Sequence, residues 1–137
     1  RYPDAKLLAK KFNINDKVIF LGFVSDQDLP SLYSGAEFFI YPSLYEGFGL
    51  PVLEAMACGT PVVCSNTSSI PEIVKDTALM FDPLDIRDIV EKISYLNEKP
   101  QLKEEFGEKG LLRAKRFSWD KTARETLMVY KELLKNI

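Results

Sequence analysis

Four short apolar runs separated by longer amphipathic stretches constrain this chain's fold more than any other feature. They occupy residues 18–21, 37–41, 61–65 and 78–81. Three of the four are nearly continuously apolar, with no alternation of polar positions. Such runs predict strands covered on both faces, as in a parallel sheet. Helical patterns fill the gaps. Ser25 or Asp26 can cap a helix whose Leu29, Leu32, Tyr33 and Ala36 face inward. Pro51 suits the first turn of a helix that runs to Cys58 and stops at Gly59. Asp85 starts a helix carrying Ile86, Ile89, Val90, Ile93 and Leu96 at helical spacing, and Pro100 bars its continuation. Residues 101–116 form a more polar helix. Ser118 caps a last one with a stripe of Trp119, Ala123, Leu127, Tyr130 and Leu134. Strand and helix in alternation predict an α/β domain: a Rossmann-like parallel sheet with helices on both faces and ligands at the carboxyl ends of its strands.

Size and composition close off several alternatives. A chain of 137 residues is enough for one domain. Its 18 basic and 20 acidic residues are scattered and leave a net charge of −2, without the basic stripe of a nucleic-acid surface. No apolar run reaches the roughly 18 residues that a membrane span needs. Histidine is absent, so the segment by itself holds no Ser-His-Asp or Cys-His hydrolase. Cys58 and Cys64 lie in apolar surroundings without metal-ligand spacing, which predicts buried free thiols in a reducing cytoplasm. Tyr2, Phe12, Phe20, Phe38, Phe39 and Phe81 are expected in or near the core, and Phe117 and Trp119 are expected to pack the last helix. The Lys/Glu-rich residues 98–115 are expected to be a solvated face whose mixed signs disfavour a strong membrane anchor.

The stretch that carries chemistry is Ser43-Leu-Tyr-Glu46-Gly47-Phe48-Gly49-Leu50-Pro51-Val52-Leu53-Glu54-Ala55. It follows the second strand and therefore lies on the ligand-binding edge. Gly47 and Gly49 permit a tight backbone path. Pro51 then opens a helix, so the amides of Phe48, Gly49 and Leu50 stand at an N-terminus that attracts anions such as a diphosphate. Glu46 lies in the turn and Glu54 one turn into the helix. Two carboxylates there offer acceptors for the paired donors of a sugar or ribose diol. The same residues also fit a plain cap and turn, since acidic groups near a helix start complement its dipole.

The residues around this pair carry a resemblance that favours the first of these readings. Glu46 and Glu54 have seven residues between them, within Glu-Gly-Phe-Gly-Leu-Pro-x-Leu-Glu-Ala. This resembles the Glu-x7-Glu motif of family 4 of the retaining glycosyltransferases with two Rossmann-like domains, the GT-B type. The likeness extends upstream to residues 18–24, Asp28-Leu29 and Leu32-Tyr33. Downstream it takes in residues 58–63, Ser65-Asn66, Pro71-Glu72, residues 81–83 and the last helix. The resemblance implies the C-terminal, donor-binding half of such an enzyme, acting on a nucleoside diphosphate sugar without a metal or other cofactor. It implies Glu54 on the ribose hydroxyls and Glu46 on the transferred sugar. Gly47 and the amides of Phe48, Gly49 and Leu50 would face sugar and diphosphate, with Phe23 and Val24 near the base. Thr67-Ser68-Ser69-Ile70-Pro71-Glu72 is most similar to members that transfer mannose from GDP-mannose, with a UDP-sugar as the other donor class. Members of the family supply two further strands and a basic loop ahead of the first run seen here. An N-terminally truncated donor domain, inactive alone, is therefore expected, with the acceptor glycan or lipid-linked sugar bound by a missing N-terminal domain. The implied setting is polysaccharide biosynthesis in the cytoplasm or at the inner face of the membrane. A non-catalytic nucleotide-sugar-binding module and an epimerase of the same architecture stand as alternatives.

Overall fold

Strand β2 (Val62–Ser65) is buried at every residue and has a parallel neighbour on each side. β1 (Phe39–Tyr41) pairs with it in the register Phe39↔Val62 to Tyr41↔Cys64, and β3 (Leu79–Phe81) in the register Val63↔Leu79 to Ser65↔Phe81. Continuous burial of a short β-branched run is what a central parallel strand requires. The computed structural model describes residues 4–135, so Tyr2 lies outside the described residues.

Seven helices accompany the sheet among those residues: α1 (Ala5–Lys11), α2 (Leu29–Ser34), α3 (Leu50–Ala57), α4 (Ile70–Val74), α5 (Ile86–Asn97), α6 (Pro100–Ala114) and α7 (Trp119–Lys135), of which α3 to α6 pack on it. Side chains of β2 alternate between two cores. Val62 and Cys64 join Val52, Ala55 and Met56 of α3 and Ile70, Ile73 and Val74 of α4. Val63 points the other way, to Phe81 and Leu96, with Ile89 and Ile93 of α5 and Leu102 and Phe106 of α6 packed around them. Helices therefore cover both faces, as the runs predict. Burial pushes the Cys64 thiol up to about 12, which keeps it protonated within the core, while Cys58 is half-buried; both are free.

Helix ends follow their capping residues. The Asp85 side chain accepts from the amides of Arg87 and Asp88 at the start of α5, and the Lys121 amide donates to Ser118 Oγ at 3.2 Å ahead of α7. Pro100 ends one helix and opens the next, since its missing N–H is harmless in a first turn.

Two expectations are corrected. Residues 18–21 form no strand. A strand needs partners for its N–H and C=O groups, and among the described residues none pairs with this segment. Phe12 and Phe20, expected near the core, are exposed, as is Trp119 at 77%. The Lys/Glu-rich face at 98–115 is solvated as expected, and the other side of α6 buries Gly107, Gly110 and Ala114 where it crosses α3. Finally, α1 and the short α4 were not foreseen. Among the described residues no buried side-chain nitrogen or oxygen lacks a hydrogen-bond partner, and no helix is long and apolar enough to cross a membrane.

Candidate functional site

Pro42 ends β1 at the carboxyl edge of the sheet, and the chain turns through residues 42–49 before α3 begins at Leu50. Gly49 makes this turn possible in two ways. Its φ is +102°, a left-handed conformation that disfavours side chains, and a Cβ there would stand 2.5 Å from Ile70 Cδ1. Gly47 has nothing within 4 Å of its missing Cβ. Among the described residues, no acceptor receives the amides of Phe48, Gly49 or Leu50.

A tract of hydroxyls that follows β2 stitches the turn down. The Glu46 amide donates to Ser68 Oγ at 3.0 Å, and the Ser68 hydroxyl in turn donates to the Glu46 carbonyl. Ser69 Oγ, with one proton to give, lies 2.8 Å from the Phe48 carbonyl and 3.1 Å from that of Glu46, and Thr67 Oγ1 donates to that of Leu44 (3.3 Å). Ser68 adopts φ +61°, a conformation uncommon outside glycine that tends to persist where surrounding contacts demand it.

The two carboxylates are each met by a tyrosine. Oε1 of Glu46 accepts from Tyr41 Oη at 2.6 Å and Ser43 Oγ at 2.8 Å. These two donors, Tyr41 foremost, hold the Glu46 carboxyl below its ordinary 4.5. Oε2 of Glu54 accepts from Tyr33 Oη at 3.1 Å, and Tyr33 is itself tied down by Thr60 Oγ1 on its carbonyl at 2.8 Å. Burial first, and then the adjoining carboxylate, pushes both tyrosines up to about 12. Phe39 joins them, edge-on to Tyr33 at 5.3 Å and stacked on Tyr41 at 5.8 Å.

Beside the turn is a groove of about 350 Å³ lined by Phe48, Leu50, Leu53, Glu54, Phe117 and Trp119, among others. Its outer wall is braced. Arg113 donates through Nε to the Ile73 carbonyl (2.9 Å) and through Nη2 to that of Glu72 (2.8 Å). The same guanidinium lies 4.9 Å over the Phe117 ring, which meets Phe48 edge-on at 5.9 Å.

Six of the residues singled out from the sequence thus lie in one turn and the helix it opens: Glu46, Gly47, Phe48, Gly49, Leu50 and Glu54. Phe48, Leu50 and Glu54 share the groove, whereas Glu46 is not in its lining. Phe23 and Val24 belong to an irregular segment. Phe23 is 93% exposed, Val24 half-buried, and neither lines the groove. Sequence reasoning noted Tyr33, Ser68 and Ser69 without their contacts to the turn and its carboxylates, and missed Tyr41 and Arg113 as parts of the site. Only the serines left a signal, as consecutive hydroxyls after a strand ending on the same edge. No group of three or more acidic or thiol side chains able to hold a metal comes together among the described residues.

The sequence model of the family described as "Glycosyl transferases group 1" matches residues 3–113. The chain is 49% identical over 114 residues to the O-antigen chain mannosyltransferase B of Escherichia coli, covering 83% of this chain and 30% of that protein. It is 36% identical over 139 residues to the MMP alpha-(1->4)-mannosyltransferase of Mycolicibacterium hassiacum, covering 98% and 34%. It thus spans about a third of the length of these relatives. Among solved structures, the sucrose-phosphate synthase of Thermosynechococcus elongatus superposes with a TM-score of 0.88 at 31% identity, over 97% of this chain and 34% of that one. Anabaena HepE, solved with UDP and glucose, gives 0.83 at 22% identity over 92% and 35%, a likeness of fold.

Proposed function

The chain belongs to the glycosyl transferases of group 1, and from that premise we propose that it is the donor-binding part of a longer mannosyltransferase. The reading is transfer of mannose from GDP-mannose to a glycan or lipid-linked acceptor with retention of configuration. The acceptor is held by a further domain, and the product feeds polysaccharide assembly at the cytoplasmic face of a membrane. A bound metal is not part of this reading. The names of the two relatives support mannose, and both belong to proteins about three times as long as the matched segment.

One observation carries the proposal. Glu46 is fixed through its backbone and through one carboxylate oxygen, while among the described residues Oε2 receives no donor. It stands beside a turn whose amides at Phe48, Gly49 and Leu50 are likewise uncommitted. An open carboxylate oxygen next to several open amides matches a ligand that carries hydroxyl donors beside a diphosphate. In this reading Glu46 meets the hydroxyls of the transferred sugar and Glu54 those of the ribose. The loop amides face the diphosphate, stabilising the charge that grows on it as the glycosidic bond breaks. Attack from the same face as the departing diphosphate gives retention.

Calorimetric titration with GDP, UDP, GDP-mannose and UDP-glucose tests this. The expected result is selective binding of the guanine nucleotides, with Glu54→Ala weakening GDP and sparing inorganic pyrophosphate. Equal loss of both ligands would remove the ribose role. Binding of none of the four by the folded protein would overturn the donor-site reading.

A further inference from the structure

The hydroxyls around Glu46 are arranged unequally. Both side-chain donors, Tyr41 Oη at 2.6 Å and Ser43 Oγ at 2.8 Å, converge on Oε1. Hydrogen bonds to an ionised carboxylate are the short, strong kind, and two of them on one oxygen fix the rotation of the carboxylate plane. Ser43 Oγ also lies 3.2 Å from the Tyr45 carbonyl. A serine hydroxyl has one proton, so it goes to the shorter, charged acceptor. Tyr41 in turn cannot drift. It ends β1 in register with Cys64 of the buried central strand, and its ring stacks on Phe39.

We infer that Tyr41 and Ser43 are positioning residues of the transfer site, which lock Oε1 of Glu46 so that Oε2 alone is presented to the hydroxyls of the donor sugar. The inference rests on the reading of Glu46 given above. A purely structural role for these hydroxyls is distinguishable, because the backbone of Glu46 is anchored separately by Ser68, with Ser69 holding the carbonyl of Phe48 in the same turn. Removing the Tyr41 hydroxyl leaves the turn tethered and frees only the carboxylate.

The same donors keep Glu46 ionised to lower pH than an ordinary glutamate. A depressed folded-state value means that the charged, sugar-binding form persists as the solution is acidified. It is lost only as pH falls through that depressed value, so removal of the donors moves the loss to higher pH.

The experiment compares affinity for GDP-mannose with affinity for GDP across a pH series, in the whole protein that carries this chain, for Tyr41→Phe, Ser43→Ala and the double variant. The ratio of the two affinities isolates the sugar. The double variant is expected to lower that ratio about tenfold or more, to leave GDP within about twofold, and to lose the residual sugar preference at higher pH than the parent. Ser43→Thr, which keeps a hydroxyl, is expected to restore most of the single loss. A folded double variant with the parental ratio at every pH overturns the inference. Should Tyr41→Phe fail to fold, Ser43→Ala and its threonine rescue decide the matter alone. Glu46→Gln separates the two levels. If it abolishes the sugar preference while the double variant does not, positioning is wrong and the donor site stands. If it too changes nothing, the donor-site reading fails.

Discussion

Gly47 and Gly49 look equivalent in the sequence but differ in the folded chain. Gly49 sits at φ +102° with Ile70 Cδ1 where its Cβ would be, so Gly49→Ala forces a left-handed alanine against a buried side chain. That combination should cost about 1–3 kcal/mol and lower the denaturation midpoint correspondingly. Gly47 lacks both constraints. Gly47→Ala should leave the unfolding free energy within about 0.5 kcal/mol of the parent and show its effect only in affinity for the nucleoside diphosphate. Denaturant titration of the pair checks this; equal destabilisation would show that the turn does not rest on Gly49. The division was not legible beforehand, because a Gly-x-Gly pattern reveals a tight turn without saying which glycine bears the unusual φ. Tyr33 and Tyr41 were likewise unreadable as partners of the carboxylates. The Tyr33–Glu54 bond spans 21 positions, and only the packing of α2 and β1 beside the turn brings such groups together.

At the scale of elements, the crossing of α6 on α3 was hidden by composition. The segment reads as charged and solvated, yet Gly107, Gly110 and Ala114 make a seam of small residues that lets the helix approach closely. A Cβ on Gly107 would stand 2.6 Å from the Gly59 carbonyl, a backbone atom with little room to yield, whereas one on Gly110 would meet Met56 Cγ at 3.4 Å. Gly107→Ala should therefore destabilise by about 1–3 kcal/mol through overpacking. Gly110→Ala should be neutral or stabilising by up to about 1 kcal/mol, since alanine is the better helix former and the methionine side chain can adjust. Thermal melts of the two variants measure the difference, and similar losses in both would mean that the helices do not meet as described. The strands and capped helices, by contrast, were legible because their signals are local: the apolar runs at 37–41, 61–65 and 78–81, which contain β1, β2 and β3, and Asp85, Ser118 or Pro51 at helix starts. Local signals also misled at residues 18–21, whose β-branched and aromatic content fits a strand without supplying its neighbour. α1 buries only Ala9 and α4 is five residues long, so neither offers a periodic face to read.

Across the whole molecule, a repeated apolar face establishes only that something should cover it. Leu127, Met128, Tyr130, Leu133 and Leu134 of α7 stand exposed among the described residues, as do Ile19 and Phe23 near the other end. The stripe in α7 is amphipathic as its spacing predicts, but a sequence period does not identify what packs against it. Trp119 shares that exposure, and it is the one tryptophan of the chain. It stands on the wall of the groove with Phe48 and Glu54, which gives the molecule a built-in optical reporter. With its indole already in water, unfolding should hardly move the emission maximum even as the circular dichroism of the helices collapses. A clear red shift on denaturation would place the indole under cover in the native state. Whatever seats in the groove, by contrast, must take that indole out of water, and should register as a blue shift of the same single fluorophore.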